Sequence, residues 1–398
     1  MAEKLYFSRH TKVYLEQGTN IWEIPVMDGF SFSQGTNSSE VVLAEMENAG
    51  GVSRRGRTQF NDSYAPAEWS FDTYVRPFLG AVGGQLDGDV AQMHAVEEVL
   101  WANFVSPFSK DNTYTPGAAA VDGAWGDGAT EGVVLAAGSS TIDFSNSNKS
   151  TLGVFNLLFE MGSCEATPTP IVYRVEGCVI NSASVDFDID GIAQISWSGF
   201  GNIIDEIING DTAHSGTYTV PIVPTINEDL DATDNFIRNR LTSLSIVADD
   251  TAQFPGNGAP AGTYKVVLTG GSLSFENNIS FLTPETLCKV NQPIGHVTGG
   301  RTIGGSFTSY IDTDDGSTHD LWEDLIGAAD TVTNKFALTF SVGGVTGTPR
   351  VAFDFPAAHL EVPTHSIDDL VSIEVNFSAL PSVITAADEA TITYVGAP

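Results

Sequence analysis

Apolar residues fall on alternate positions through much of this chain, as at Ala183, Val185, Phe187 and Ile189. A period of two belongs to strands with one dry and one wet face, and recurrent Thr/Ser/Val alternation with 40 glycines extends it into a mainly β reading. Two windows depart from that period. Asp89 with Gln92, and Ser317 with Asp320, have the N-cap and N3 spacing that opens a helix. Val96, Val99 and Leu100 follow the first pair, and Leu321, Trp322, Leu325 and Ile326 the second, each as an apolar stripe. A lone helix of this kind packs across one face or mouth of a sheet.

The stretch from Val185 to Trp197 opens with D-x-D-x-D-G, the first half of an EF-hand loop. Such a loop needs a bidentate Glu at its twelfth position, and here that position is Trp197. The flanks alternate as strands do, so the segment reads as a β-hairpin turning at Asp190-Gly191, where positive φ is tolerated. A three-residue loop would pair Ile189 with Ala193, Phe187 with Ile195 and Val185 with Trp197. Asp186 and Asp188 then stand with Ser184, Gln194, Ser196 and Ser198 on the wet face, as an acidic stripe on a sheet.

The chain also repeats itself. VMDGFSFS (26–33) matches VLTGGSLS (267–274) at an offset of 241, and WSFDTYV (69–75) matches GSFTSYI (305–311) at 236. HAVEEVLWA (94–102) matches HDLWEDLIG (319–327) at 225, FNLLFEMG (155–162) matches FALTFSVG (336–343) at 181, and IDGIAQISW (189–197) matches IDDLVSIEV (367–375) at 178. The common order, with offsets that only shrink, predicts two tandem copies of one β domain, each with a single helix. The expected boundaries are 1–209 for the first copy, 210–234 for a turn-rich acidic linker with Pro221 and Pro224, and 235–398 for the second. Most of the length difference falls in the Gly/Ser/Thr/Asp-rich stretch from about 110 to 150, which reads as a long loop or surface insertion.

Charge narrows the function. Seventeen Lys plus Arg stand against 50 Asp plus Glu, a formal charge of −33, which disfavours adhesion to nucleic acid or anionic lipid but not a wall past which DNA slides. The start lacks an apolar core of signal-peptide length and no run is long enough to span a membrane, so no membrane insertion is expected. Cys164, Cys178 and Cys288 form an odd set without CxxC spacing, and are expected to be reduced core residues of a protein made in a cytoplasm.

No enzyme mechanism emerges. G-x-S-x-G, G-x-x-x-x-G-K-[ST] and H-E-x-x-H are all absent, His359 and His365 flank Pro363 on a β-like segment, and the Gly256–Gly262 glycine loop leads into no helix. No cofactor and no metal are expected. The one local anomaly is SRRGR (53–57), which puts Arg54, Arg55 and Arg57 within four positions of an anionic chain. It is either a solvated loop tip or a docking device for an acidic surface such as an identical subunit. The matching region of the second copy keeps Lys289 and Arg301.

The runs KVYLEQGTNIWEIPVMDGFSFSQGTN, SRRGRTQFNDSYAPAEWSFDTYVRPF and VYRVEGCVINSASVDFDIDGIAQISWSGFG resemble those of bacteriophage tail tube proteins, also called major tail proteins. The resemblance covers most of the first copy. It implies a β-sandwich or barrel with a flanking helix, whose inner strands close into a ring of six domains, rings then stacking into a hollow conduit. It places Arg54, Arg55 and Arg57 as contacts between subunits or rings, and Arg301, from the matching region of the second copy, is a further candidate for such a contact. A two-copy chain would need three subunits per ring, giving a trimer with pseudo-sixfold symmetry. Asp186, Asp188 and Glu374 would line the lumen and repel passing DNA. The resemblance further implies a virion location, synthesis in the host bacterial cytoplasm, and tape measure, tail tip and tail terminator proteins as partners. The competing readings are a virion decoration or fibre protein, a carbohydrate-binding β-sandwich, and a hydrolase on a β scaffold.

Overall fold

The structure, a computed structural model, describes residues 5–42, 57–80, 91–105, 133–136, 138–145, 152–163, 170–207, 219–226, 235–256, 261–288, 290–327, 335–346, 349–367 and 370–396. Within the first half these form β1 (Tyr6–Gln17), β2 (Asn20–Ile24), β3 (Ser31–Val42), β4 (Arg57–Tyr74), β5 (Pro77–Leu79), β6 (Met93–Ala95), α1 (Glu98–Val105), β7 (Val133–Leu135), β8 (Ser139–Asp143), β9 (Phe155–Ser163), β10 (Ile171–Phe187), β11 (Gln194–Gly201) and β12 (Ile203–Ile207). The second half, after a 3₁₀ turn at Asn239–Leu241, forms β13 (Ser243–Ala248), β14 (Thr263–Val266), β15 (Leu268–Glu276), β16 (Ile279–Leu282), β17 (Gly295–Thr298), β18 (Thr302–Tyr310), α2 (Thr318–Gly327), β19 (Phe336–Val342), β20 (Arg350–Leu360), β21 (Thr364–Ile367), β22 (Val371–Ala379) and β23 (Thr391–Val395). The expected mainly β class with two helices is thus observed among the described residues.

In the first half two sheets share β10. Its N-terminal part, Ile171–Glu176, lies between β9 and β12, with β1 and β2 beyond β9. Gly177, at φ +63°, and the bulge between Val175 and Cys178 bend the strand out of that sheet. Its C-terminal part then pairs β11, which pairs β4, which pairs β3. The two sheets face each other through aromatics, with Phe32 at 4.5 Å from Phe159 and Trp69 at 6.0 Å from Phe155 between ring centres.

The second half has the same connectivity. β14, β13, β19, β20 and β23 follow in one sheet, and β15, β18, β22 and β20 with β21 in the other. Registers correspond as well. Ser31 faces Ser70, which faces Ser198, while Ser272 faces Ser306, which faces Asn376. The offsets are those between the matching sequence segments, 241, 236 and 178. The halves are joined by strand pairing, because β10 also pairs β15, with Ser184 opposite Ser274 and Asp186 opposite Ser272.

Four expectations are corrected. First, Ala183 and not Val185 faces Trp197, so the hairpin register is displaced by two residues and the turn is wider. A displacement of two keeps the faces, and Val185 and Phe187 remain buried, but Ile189 is left 50% exposed. Second, α1 starts at Glu98, and Met93–Ala95 is a strand paired to Pro77–Leu79, while Asp89 lies outside the described residues. The Glu98 carboxylate accepts from the Ala95 N–H at 3.1 Å, supplying the helix start from inside. Both helices carry a Leu-Trp pair, Leu100-Trp101 in α1 and Leu321-Trp322 in α2. Third, the end of the 110–150 stretch is not loop. β7 pairs β8, and β8 pairs β23 of the second half, with Val133, Ile142 and Phe144 fully buried; residues 106–132 lie outside the described set. Fourth, Cys178 is buried but Cys288 is exposed, so the cysteines are not all core residues; within 210–234, Thr225 N–H donates to Ile21 O at 2.9 Å and Ile222 and Ile226 are buried.

α1 is buried on every side, as a helix apolar all round must be, and sits where the halves meet. Trp101 lies 4.8 Å from Trp197 and 5.3 Å from Phe275, one from each half. α2 instead buries Leu321 and Leu325 and leaves Ile326 44% exposed.

Candidate functional site

The alternation that dries one face of the shared sheet makes the other a polar surface crossing both halves. Ser31 and Ser70 hydroxyls lie 2.8 Å apart, Ser182 and Ser198 2.7 Å, and Thr269 and Thr308 3.0 Å. These cross-strand hydroxyl pairs satisfy each other and leave a smooth hydrogen-bonding wall. Asp186 and Asp188 are exposed on β10 and just past its end, and Glu374 is exposed on β22. Asp186 faces Ser272, which faces Ser306 and then Asn376, so Asp186 shares its face with Glu374, two positions along β22. The same registers add Glu68, Asp72 and Glu276, acids that sequence reasoning missed. Their signal was the even-numbered polar set running through the strands, Glu68, Ser70 and Asp72 on β4 and Ser272, Ser274 and Glu276 on β15. No Lys or Arg occurs in Ser31–Glu40, Ala67–Tyr74, Gly177–Asp188, Gln194–Gly201, Leu268–Glu276, Thr302–Tyr310 or Val371–Ala379.

The basic residues have a different placement. Arg54 and Arg55 lie outside the described residues. Arg57 opens β4, paired at 3.3 Å with Glu40 across the β3–β4 hairpin, and its side chain is 75% exposed. The outer part of that hairpin, Arg57–Asp62 against Ser38–Val41, is an exposed two-stranded arm rather than the non-periodic loop expected. Exposed ion pairs of this sort hold about 0–1 kcal/mol.

Arg301 is turned inwards. Its Nε donates to Asn277 Oδ1 at 3.1 Å, and Nη2 reaches the carbonyls of Phe104 and Val105 at 3.4 and 3.3 Å. A cation thus caps the C-terminus of α1, where the orphan carbonyls and the dipole favour it, and the guanidinium also lies over the Phe104 and Phe144 rings. Burial lowers its pKa to about 10.

At the other end of α1 a buried acid stands out. Glu97 is fully buried, and burial raises its pKa to about 7, with the Tyr394 hydroxyl and the Arg76 charge pulling the other way. Next to it His94 Nδ1 is 2.8 Å from Glu98 Oε1. Among the described residues no three His, Cys, Asp or Glu side chains are grouped to hold a metal ion, and His365 packs edge-on against Trp322 at 5.3 Å.

Among the described residues β3 pairs only β4 and β21 only β22, which leaves this sheet an open edge at each end. A broad polar face, an exposed hairpin arm and edges open among the described residues are the features of this β protein, and unpaired edges invite further strands. No family model matches the chain. It is, however, 29% identical over 393 residues to the tail tube protein pb6 of Escherichia phage T5, covering 97% of this chain and 75% of that protein. The chain is thus similar along nearly its whole length to a phage tail tube protein, as the resemblance of its first-half segments implied.

Proposed function

We propose that the chain is a structural, non-enzymatic protein that arose by tandem duplication and assembles as stacked trimeric rings into a phage tail tube. The observation that carries this reading is the strand order β3-β4-β11-β10 followed by β15-β18-β22-β20/β21 in one hydrogen-bonded sheet, with matching registers in the two halves. Each chain supplies two like arcs, so three chains supply six. Closure of the ring would pair the two open edges and remove the hazard they carry. The polar face becomes the lumen wall, with Asp186, Asp188 and Glu374 beside Glu68, Asp72 and Glu276. Duplex DNA carries a negative charge about every 1.7 Å, so such a wall offers it no adhesive site during ejection. The exposed β3–β4 arm with Arg57 reaches the acidic surface of the adjacent ring, and Arg54 and Arg55, next to it in sequence, would add to that contact. Tape measure, tail tip and tail terminator proteins are the partners of such a tube, and the virion is its location.

Averaged electron micrographs of the concentrated protein test this reading. Hollow rings of three protomers with six similar lobes are expected. Closed rings of another protomer number would overturn the trimer, and protein that forms neither rings nor tubes, alone or with its tail-tip proteins, would overturn the tube.

A further inference from the structure

The junction inside the chain is a template for a junction between chains. Where β10 meets β15, Ser184 faces Ser274, Val185 faces Leu273, Asp186 faces Ser272 and Phe187 faces Gly271. β21 holds the place of the end of β10, because Thr364 faces Glu374 as Ser184 faces Ser196. β3 holds the place of β15, because Ser31 faces Ser70 as Ser272 faces Ser306. Among the described residues both β21 and β3 have their second edge open.

Burial points to the same partner. Phe187 is 6% exposed, covered by Phe340 at 5.7 Å and Phe353 of the second half, whereas its counterpart Ile367 is 80% exposed. Val75 is fully buried and Ala193 likewise, whereas Ile311 and Val371 in the matching places are 37% and 39% exposed. The Ile311 N–H bonds Val371 O just as the Val75 N–H bonds Ala193 O, so the backbones agree and only the cover differs. Apolar side chains that one junction buries stand bare at the chain's outer end. The counterparts of Phe340 and Phe353 are Phe159 and Tyr173, which in the first half lie beneath Phe32 of the open β3 edge.

We infer that β21 of one copy pairs antiparallel with β3 of a second copy in the register Thr364 with Ser33, His365 with Phe32, Ser366 with Ser31, and Ile367 with Phe30. This rests on the trimeric-ring reading and deepens it by fixing the interface. The two junction types differ in strength. The internal one encloses α1 and the Arg301 cap, while the outer one has α2 with Trp322 only half buried and a break between Leu360 and Thr364.

Paired cysteines test the register, in a chain with Cys164 and Cys288 replaced by serine. With Ser366→Cys and Ser31→Cys a short thiol-to-thiol linker is expected to join copies into covalent dimers and closed trimers, with nothing larger. The pair Thr364→Cys and Ser33→Cys should behave alike, which guards against misfolding of one variant. Asp186→Cys with Ser272→Cys should link within one chain only. Ser366→Cys with Asn37→Cys, about 20 Å off register, should not link. Three-membered rings in micrographs without the in-register link, or with equal linking of the off-register pair, overturn the register while the ring stands. Absence of both rings and links overturns the two together.

Discussion

The Trp101 indole N–H donates to the Tyr394 hydroxyl at 2.8 Å, joining α1 to β23 across 293 residues of sequence. Both groups are buried, so the bond has no water to replace it. Tyr394→Phe leaves the indole N–H unpaired and is expected to destabilise the fold by about 1–3 kcal/mol. Trp101→Ala removes the ring that both halves pack upon and should cost about 3–5 kcal/mol. Denaturant unfolding of the unassembled protein reads both losses, and an unchanged midpoint for Trp101→Ala would show that α1 does not tie the halves.

Glu97, beside this bond, makes stability depend on pH. Its folded pKa of about 7 lies above the ordinary 4.5, so between those values the folded state holds a proton that the unfolded state has released. Stability then falls as pH rises through this window and levels off above it. The shift corresponds to a penalty of order 3 kcal/mol at neutral pH. Glu97→Gln is expected to remove the slope and to raise the unfolding midpoint at pH 8 more than at pH 5. Equal gains at both pH values would mean that Glu97 is not the group responsible.

The strands and their faces were legible because burial on one side writes a period of two, as at Ala183, Val185 and Phe187. The start of α1 was not, because a helix buried all round loses its stripe, and His94 and Ala95 read as helix until their strand partners Phe78 and Pro77 are seen. β7 and β8 were hidden by a Gly/Ser/Thr-rich setting in which only Val133, Ile142 and Phe144 mark the core. The position of Arg301 was invisible for another reason. The carbonyls it caps are nearly two hundred residues away, and no local pattern reports so distant a partner.

Arg301 supplies a third expectation. A planar fork that reaches Asn277 and two carbonyls while lying over two rings cannot be copied by an ammonium. Arg301→Lys should therefore destabilise nearly as much as Arg301→Ala, by about 2–4 kcal/mol. Hydrogen exchange at the last turn of α1 should accelerate in both variants. Wild-type protection in Arg301→Ala would dismiss the cap.

The acidic wall is open to a charge reversal that leaves the fold alone, because Asp186, Asp188 and Glu374 are all exposed and none of them fills the core. On the proposed tube reading, replacing the three by lysine leaves ring formation intact and turns a repelling lumen into an attracting one. Electrostatic attraction to phosphates is screened over about 10 Å at 0.1 M salt and weakens steeply beyond that. Phage carrying the triple variant are expected to eject DNA more slowly at about 0.05 M salt and to recover towards the normal rate at about 0.5 M. The matched control reverses Asp249, Asp250 and Glu285, exposed acids outside the strands of this face, and should leave ejection unchanged. Equal slowing by both variants would assign the effect to net charge, and no slowing by either would remove these residues from the path of the DNA.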